Sequence, residues 1–387
     1  MTHIAELPLS LYVHLPWCVK KCPYCDFNSH QLPAVERRDT ARDDYVAAVL
    51  EDIRLQVRQY PGRALHSIFI GGGTPSVFTP AEIAAIVAAA EAAWGFEPEI
   101  EVTMEVNPGV LERDSFAGYA AAGVNRVSIG AQSFDAAALQ RLGRLHGPDE
   151  IVRAVDEAQR AGFERINVDV MHGLPGQTIA AGVADIHAAI ALGVTHVSHY
   201  QLTLEPNTVF YASPPTLPDE DVLQSIGEQS AASLRAAGFV QYEVSAWTQP
   251  GDSSRHNLNY WRFGDYLAVG AGAHGKLTVQ GTAVRYAQPM HPNSYVDQLK
   301  AQRLPEIVPV PAASLAFEYF LNRLRLLEMV DLRDFERRTG LAALDVSAQL
   351  GEAAERGLID VRSATQFELT TLGQRFLNDL QAIFLPS

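Results

Sequence analysis

Cysteine is scarce in this sequence. The 387 residues include three cysteines, an odd number, and all three lie between Cys18 and Cys25. A disulfide framework is therefore excluded, and three thiols so close together suggest a metal site. Basic residues are also few, because 30 Lys and Arg stand against 45 Asp and Glu and give a formal net charge of -15. This charge repels phosphates, so the sequence predicts no nucleic-acid partner and disfavours an anionic membrane surface.

Long apolar runs and targeting signals are missing as well. No apolar run reaches the ~18 residues of a membrane span, which predicts no transmembrane segment and leaves peripheral membrane contact open. The residues before Lys20 carry neither the basic start of a secretory signal nor the arginines of a transit peptide. We therefore expect a cytoplasmic protein.

Charged residues make up only 19% of the chain and apolar residues 47%. This composition excludes a disordered or fibrous chain. A length of 387 residues predicts two domains, or one large α/β barrel with an appendage.

Short β-branched runs alternate with alanine-rich amphipathic stretches up to about residue 247. This alternation predicts parallel strands joined by crossover helices, and the repeat of roughly 25–35 residues favours a TIM-like barrel, complete or partial. The predicted strands lie near 11–15, 66–71, 100–106, 125–131, 165–171, 196–203 and 240–246. The predicted helices are Tyr45–Gln59, Pro80–Trp94, Asp149–Ala161, Ala180–Leu192 and Asp221–Ala237.

Polar residues and glycines follow the ends of successive predicted strands. In barrel enzymes the carboxyl ends of the strands form the face that carries the site, so we expect these residues to share one site. They are Cys18–Cys25, Gly71–Gly73, Glu105, Gln132, Asp169, His172 and Thr203.

The rest of the chain predicts two further parts. Residues 251–310, rich in glycine and aromatics, read as a connecting region of a loop, a strand and a Gly-rich turn beside a barrel of residues 1–250. Residues 311–387 predict three helices, a hairpin and a last helix, which resembles a winged helix. This segment has 8 basic and 11 acidic residues, so packing or partner docking is a better interpretation than DNA binding.

The strongest local motif is Cys18-Val-Lys-Lys-Cys22-Pro-Tyr-Cys25. Three thiolates can hold three irons of a cubane iron–sulfur cluster and leave the fourth iron open to another ligand. A structural zinc site formed by the three cysteines with His14 or His30 is the alternative that the spacing leaves open.

Six motifs in register carry a resemblance to a known family. The chain resembles radical S-adenosylmethionine (SAM) proteins of the oxygen-independent coproporphyrinogen oxidase group, and within that group its heme chaperone branch. The motifs are Tyr12–Phe27 around the cysteines, Gly71–Pro75, Glu105–Pro108, Ser128–Phe134, Asp169–Gln177 and His256–Trp261.

The resemblance implies a cofactor site. Cys18, Cys22 and Cys25 would hold a 4Fe–4S cluster whose open iron binds SAM, and Asp169 would accept hydrogen bonds from the ribose. The other residues implied in SAM binding are Tyr12, Gly72, Gly73, Thr74, Glu105, Gln132 and Arg144. On the residues alone, Glu105 also fits a helix cap, Arg144 a solvated helix charge and Tyr12 an ordinary core aromatic.

His256-Asn-Leu-Asn-Tyr260-Trp261 is the second distinctive motif. A neutral imidazole can ligate heme iron, and Tyr260 and Trp261 offer flat apolar area to a porphyrin. The resemblance therefore implies heme binding through His256, with His199 and His274 as alternative ligands.

Two hypotheses of different classes follow. One is a heme chaperone that delivers heme to an unidentified acceptor protein; the other is an oxygen-independent coproporphyrinogen III dehydrogenase. Phe27 stands where the oxidase pattern has a further cysteine, and only seventeen residues precede Cys18, so little chain is available to cover a tetracarboxylate substrate. Both departures favour the heme chaperone.

Overall fold

Parallel strands and their crossover helices form the first part of the fold. The computed structural model describes residues 7–109 and 114–386. The strands of this part are β1 Leu9–Leu15, β2 Trp17–Cys18, β3 His30–Gln31, β4 Leu65–Gly72, β5 Phe96–Val106, β6 Arg126–Gln132, β7 Arg165–His172 and β8 His196–Gln201. The helices are α1 Arg38–Gln59, α2 Pro80–Trp94, α3 Phe116–Ala121, α4 Ala136–Arg141, α5 Pro148–Arg160 and α6 Ile179–Ala191.

Six of these strands form a parallel sheet in the order β1-β4-β5-β6-β7-β8. Alternate residues face opposite sides of a strand. On β1, Leu9, Leu11 and Val13 are buried in an apolar cluster with residues of α1, whereas Ser10 hydrogen-bonds to Ser67 of β4. The helices thus cover an apolar outer face and leave a polar interior, which is the arrangement of a partial barrel.

The helix ends follow the sequence signals. Thr79 and Glu82 form the predicted capping box at the start of α2, with Pro80 at the first helical position. The glycines predicted to follow helices all have positive φ, between 67° and 95°: Gly123, Gly162, Gly193 and Gly238. These values are typical of left-handed helix ends, which glycine adopts without steric cost.

The next segment, residues 209–309, adds strands to both edges of the parallel sheet. Its helices are α7 Val209–Ala212, α8 Glu220–Ala236, α9 Arg255–Trp261 and α10 Pro292–Lys300. Its strands are β9 Val240–Gln241, β10 Ala246–Thr248, β11 Asp265–Val269, β12 His274–Val279, β13 Thr282–Ala287 and β14 Val308–Pro309. β11 adds to β1 in parallel, and β12, β13 and β14 continue that edge antiparallel.

Two predictions for this region are wrong. The strand expected at 240–246 is two short strands, and β10 runs antiparallel to β8. No crossover helix lies between β9 and β10. The chain therefore turns back on itself, and β10 pairs antiparallel with β9. The loop expected after residue 251 contains helix α9, which begins at a Ser254 cap that accepts from the Asn257 N–H.

The C-terminal part is mainly helical, as predicted. It contains α11 Ala312–Arg323, β15 Val330–Asp331, α12 Leu332–Thr339, α13 Ser347–Glu355, β16 Ile359–Ser363, β17 Gln366–Leu369, α14 Thr371–Arg375 and α15 Leu377–Ala382. The three short strands pair in the order β15-β17-β16, as the wing of a winged helix would. Within the described part of the chain, no helix combines the length and apolar character needed to cross a bilayer.

Helix α9 is anchored inside the barrel by Glu101 of β5. The buried Glu101 carboxylate accepts hydrogen bonds from the N–H groups of Arg255 and His256, each at 3.0 Å. It also pairs with Arg165 Nη1 at 2.7 Å. A carboxylate at a helix N-terminus satisfies donors that the helix itself leaves unpaired.

We expect Glu101→Gln to lower the free energy of unfolding by about 3 kcal/mol, because the substitution breaks a buried charge pair. Burial alone would raise the pKa of Glu101, but Arg126, Arg165 and the two N–H groups lower it overall. A depressed carboxyl pKa stabilises the fold above the unfolded value of about 4.3, so the advantage over the variant should shrink as the pH falls through that value and vanish only below the lower native pKa.

Chemical denaturation at several pH values measures this difference. Glu99→Gln is the matched control, because the Glu99 side chain is 85% exposed and its pair with Arg255 spans 3.4 Å. The control should cost less than about 0.5 kcal/mol. Equal losses in the two variants would contradict the assigned role of Glu101.

Candidate cofactor site

A cavity of about 600 Å³ opens at the carboxyl ends of the parallel strands. Its size is in the range of small-molecule and cofactor sites. Most of the residues predicted for one site line it together: Cys18, Cys22, Cys25, Gly73, Thr74, Glu105, Gln132, Arg144, Asp169 and Thr203. Most of the residues expected at the ends of the predicted strands therefore do share one cavity.

Each of the three cysteine sulfurs has a hydrogen-bonding neighbour. Thr74 Oγ1 donates to Cys18 Sγ at 3.3 Å, and Arg144 Nη1 donates to Cys22 Sγ at 3.7 Å. Ser29 Oγ lies 3.7 Å from Cys25 Sγ. Donors beside all three sulfurs suit thiolate ligands, because a thiolate accepts hydrogen bonds and hydrogen bonds to the sulfurs tune a cluster.

The histidines of the zinc alternative are engaged elsewhere. His14 Nε2 lies 2.9 Å from the Asn28 carbonyl oxygen and His14 Nδ1 lies 3.0 Å from Tyr12 Oη. His30 Nε2 lies 3.2 Å from Asn28 Oδ1. In residues 7–109 and 114–386, no three His, Cys, Asp or Glu side chains are gathered to hold one metal ion. A cubane does not need such a group, because each cysteine ligates a different iron.

The glycines after β4, which the resemblance implied in SAM binding, are required by packing. A Cβ on Gly73 would lie 2.6 Å from the backbone of Pro16, and one on Gly72 would lie 2.7 Å from the His14 ring. The backbone amides here are engaged within the protein, because Gly73 N–H donates to the Leu15 carbonyl and Thr74 N–H to the Trp17 carbonyl. These glycines let the cysteine loop lie directly on β4.

Two buried carboxyl groups face the cavity. Burial, and then the neighbouring Asp169, raise the pKa of Glu105 to about 8. Burial also raises the pKa of Asp169, against hydrogen bonds from Asn167 and Ser128. Glu105 Oε2 accepts from the Gly72 N–H at 3.1 Å. A cationic ligand would relieve the cost of ionising both carboxyls.

Gln132 and Arg144 are held by Tyr200 and Asn107, neither of which was predicted as a site residue. Tyr200 Oη donates to Gln132 Oε1 at 2.8 Å, and Arg144 Nη2 donates to Asn107 Oδ1 at 2.7 Å. Arg144 therefore lies in the site and is no solvated helix charge. Asp169 differs, because inward positions two residues apart on a strand would have revealed its partner Asn167, which donates to it at 2.8 Å.

Tyr12 and Gly72, which were predicted to bind the cofactor, are not among the described residues that line the cavity. Tyr12 stacks on Phe69, which does line it, with ring centroids 6.3 Å apart. Tyr12 and Gly72 also both contact His14, Tyr12 through its hydroxyl group. They therefore support the wall of the cavity from behind.

His256 also lies outside the cavity lining. It occupies the first turn of α9, its ring packs on Phe69 at 5.0 Å, and its Nδ1 is 3.4 Å from Ser67 Oγ. Burial lowers the pKa of His256 to about 4, so the imidazole is neutral at pH 7. Its Nε2 makes no hydrogen bond to any described residue. Asn257 and Trp261 of the same motif do line the cavity.

The other histidines are placed differently. The rings of His172 and His199 pack together at a tilt of 35° with centroids 4.4 Å apart, and burial lowers the pKa of each, to about 4 for His172 and about 3 for His199. His274 is exposed at the start of β12. None of the three is among the described residues that line the cavity.

Comparisons with known proteins agree with this geometry. A sequence model described as the radical SAM superfamily matches residues 12–188, and one described as the HemN C-terminal domain matches residues 310–377. The solved coproporphyrinogen III oxidase HemN of Escherichia coli covers 98% of this chain, and this chain covers 91% of it, with a TM-score of 0.82 and 22% identity. That likeness confirms the predicted fold. The fold and the cysteine loop define a radical SAM protein.

Closer relatives narrow the family. The heme chaperone HemW of Haemophilus influenzae is 46% identical, and that of Escherichia coli is 45% identical, each over 98% of both chains. The HemW of Mycobacterium tuberculosis is 34% identical over 91% of this chain and 88% of its own. This chain belongs to the HemW family. The resemblance inferred from the six motifs is confirmed.

We expect about four irons and four sulfides per chain after anaerobic reconstitution, because three thiols on one loop suit a cubane. Cys18→Ala, Cys22→Ala and Cys25→Ala should each lose the iron. Ser29→Ala, which removes a neighbour of Cys25 but no ligand, should retain it. Metal and sulfide analysis measures this, and one zinc ion without sulfide would contradict the prediction.

Proposed function

We propose that this chain is a heme chaperone: it binds heme and a 4Fe–4S cluster with SAM, and it delivers the heme to an acceptor protein. One observation carries the cofactor part, namely the three donor-flanked thiols at the mouth of a cavity that also holds Glu105 and Asp169. Relatives named heme chaperone HemW support the heme part.

In the proposed site, Cys18, Cys22 and Cys25 ligate the cluster, and Thr74 and Arg144 stabilise two of the thiolates. When bound, the cluster supplies an electron that can cleave the sulfonium of SAM. Glu105 faces the cationic part of SAM and Asp169 its ribose hydroxyls, with Gln132 held in place by Tyr200. Tyr12, Gly72 and Gly73 act on the site through packing.

His256 is the proposed heme ligand. Its imidazole is neutral at pH 7, and Ser67 holds Nδ1 while Nε2 remains available. Tyr260, 36% exposed, forms an aromatic group with Trp261 and Tyr266 at centroid distances of 4.9 and 5.1 Å.

The acceptor is a protein of unidentified nature. The free thiols of Cys18, Cys22 and Cys25 fit a reducing compartment. We therefore also propose a cytoplasmic location, and we leave peripheral contact with a membrane open.

The affinity for SAM should rise with pH. A carboxyl with a pKa of about 8 in the free site must release its proton when a cation binds beside it, so the affinity should increase about tenfold per pH unit below 8 and level off above. Calorimetry of the clustered protein in buffers of different ionisation enthalpy counts the released protons. Glu105→Gln should release about one proton fewer, which separates Glu105 from the amine of SAM itself. An unchanged proton count would contradict the role of Glu105.

The purified protein should bind about one heme per chain and form no vinyl-bearing porphyrinogen from coproporphyrinogen with reductant and SAM present. His256→Ala should shift or weaken the heme absorption band. His274→Ala, at an exposed histidine, should leave the band unchanged. Porphyrin turnover without heme binding would overturn the proposal in favour of the dehydrogenase, and equal effects of both substitutions would exclude His256 as the ligand.

A further inference from the structure

The guanidinium of Arg126, buried inside the barrel, has no hydrogen-bonding partner in the described chain, although Glu101 and Asp169 lie within electrostatic range of it. It begins β6, it is 3% exposed, and it lines the cavity. Among the residues that the structure describes, its guanidinium takes part in no hydrogen bond and no ion pair. Buried N–H donors are rarely left unpaired in a native fold, so this guanidinium points to a missing acceptor, and a carboxylate suits its paired donors.

The neighbouring carboxylates do not accept hydrogen bonds from Arg126. Glu101 is held by Arg165 at 2.7 Å and by two backbone N–H groups of α9. Asp169 is held by Ser128 at 3.0 Å and Asn167 at 2.8 Å. Both carboxylates therefore have closer partners than Arg126.

Arg126 lies far from the mouth of the cavity. Gln132, at the other end of the same strand, belongs to the proposed SAM site. Six residues separate the two, which is about 20 Å along an extended strand. The cavity therefore extends past Asp169, which the proposed SAM site uses, to a deep part beside Arg126.

Further polar atoms without hydrogen-bond partners line the same cavity. Trp261 Nε1 and Arg325 Nε are buried donors that nothing in the described chain satisfies. Arg325 comes from the segment after α11, its guanidinium carbon is 4.5 Å from the Trp261 ring centroid, and it reaches Glu243 only at 3.5 Å. Native folds rarely leave buried donors unpaired, so these donors also await an acceptor.

We propose that the deep part of the cavity binds an organic carboxylate, whose acid group pairs with Arg126 and whose apolar body lies against Phe69 and Trp261. Arg325 gives the C-terminal part of the chain a contact with this ligand. The inference rests on the proposed function in one respect, namely that SAM occupies the outer part.

Phenylacetate and its neutral isostere phenylacetamide are suitable probes, since they differ only in the group that Arg126 would contact, a carboxylate in one and an uncharged amide in the other. Calorimetry of the full chain, with cluster and SAM in place, should give saturable binding of one phenylacetate, at least tenfold tighter than the amide. Arg126→Gln should abolish this preference, and Arg325→Gln should reduce it. Arg303→Gln, an exposed cation after α10, should leave it unchanged.

Equal affinity for acid and amide would overturn the proposal, as would an unchanged preference in Arg126→Gln. A parallel loss of SAM affinity in Arg126→Gln would assign Arg126 to the SAM site and also overturn it. Should Arg126→Gln fail to fold, Arg126→Lys and the acid-to-amide ratio of the unsubstituted protein still decide. Failure of the unsubstituted protein to bind SAM would refute the proposed function instead, and the probe titration repeated without SAM would then test the carboxylate site alone.

Discussion

The packing of the cysteine loop on the end of β4 is the contact on which the candidate site depends. Gly73 has no side chain, and the backbone of Pro16 and Trp17 occupies the space where a Cβ would stand. The N–H groups of Gly73 and Thr74 donate to Leu15 and Trp17, both at 2.8 Å. A loop fixed by backbone contacts on both sides keeps its thiols in place without relying on long side chains, and this is what cofactor binding requires.

The polar interior of the barrel is the second constraint. Its inward positions carry carboxylates, amides and arginines, while the outward positions of the same strands form the apolar core with the helices. Such an interior cannot gain stability from apolar burial, so it must satisfy its own charges. Glu101 shows one solution, because it pairs with Arg165 and anchors α9 as well. In this way the helix that carries His256 is tied to the barrel that holds the proposed cofactor site.

Much of the fold and part of the site were predictable from the sequence. The parallel strands and capped helices follow from local patterns, and strand-end residues such as Glu105 and Asp169 share one cavity because parallel strands end at one edge. Local patterns did not reveal that β10 reverses direction or that α9 is helical, since both depend on tertiary pairing. Tyr200, the partner of Gln132, and Ser128, one of the partners of Asp169, come from other strands, and no single segment shows that register. The packing role of Gly73 required the position of Pro16.

The central claim is that the cysteine loop and the strand-end cavity form one site in which SAM contacts the cluster. Electron–nuclear double resonance on the reduced cluster, with SAM labelled by ¹⁵N at its amino group, tests this contact directly. The account predicts a ¹⁵N coupling that appears with labelled SAM and is absent with unlabelled SAM. A reduced cluster that shows no such coupling while SAM is demonstrably bound would contradict it.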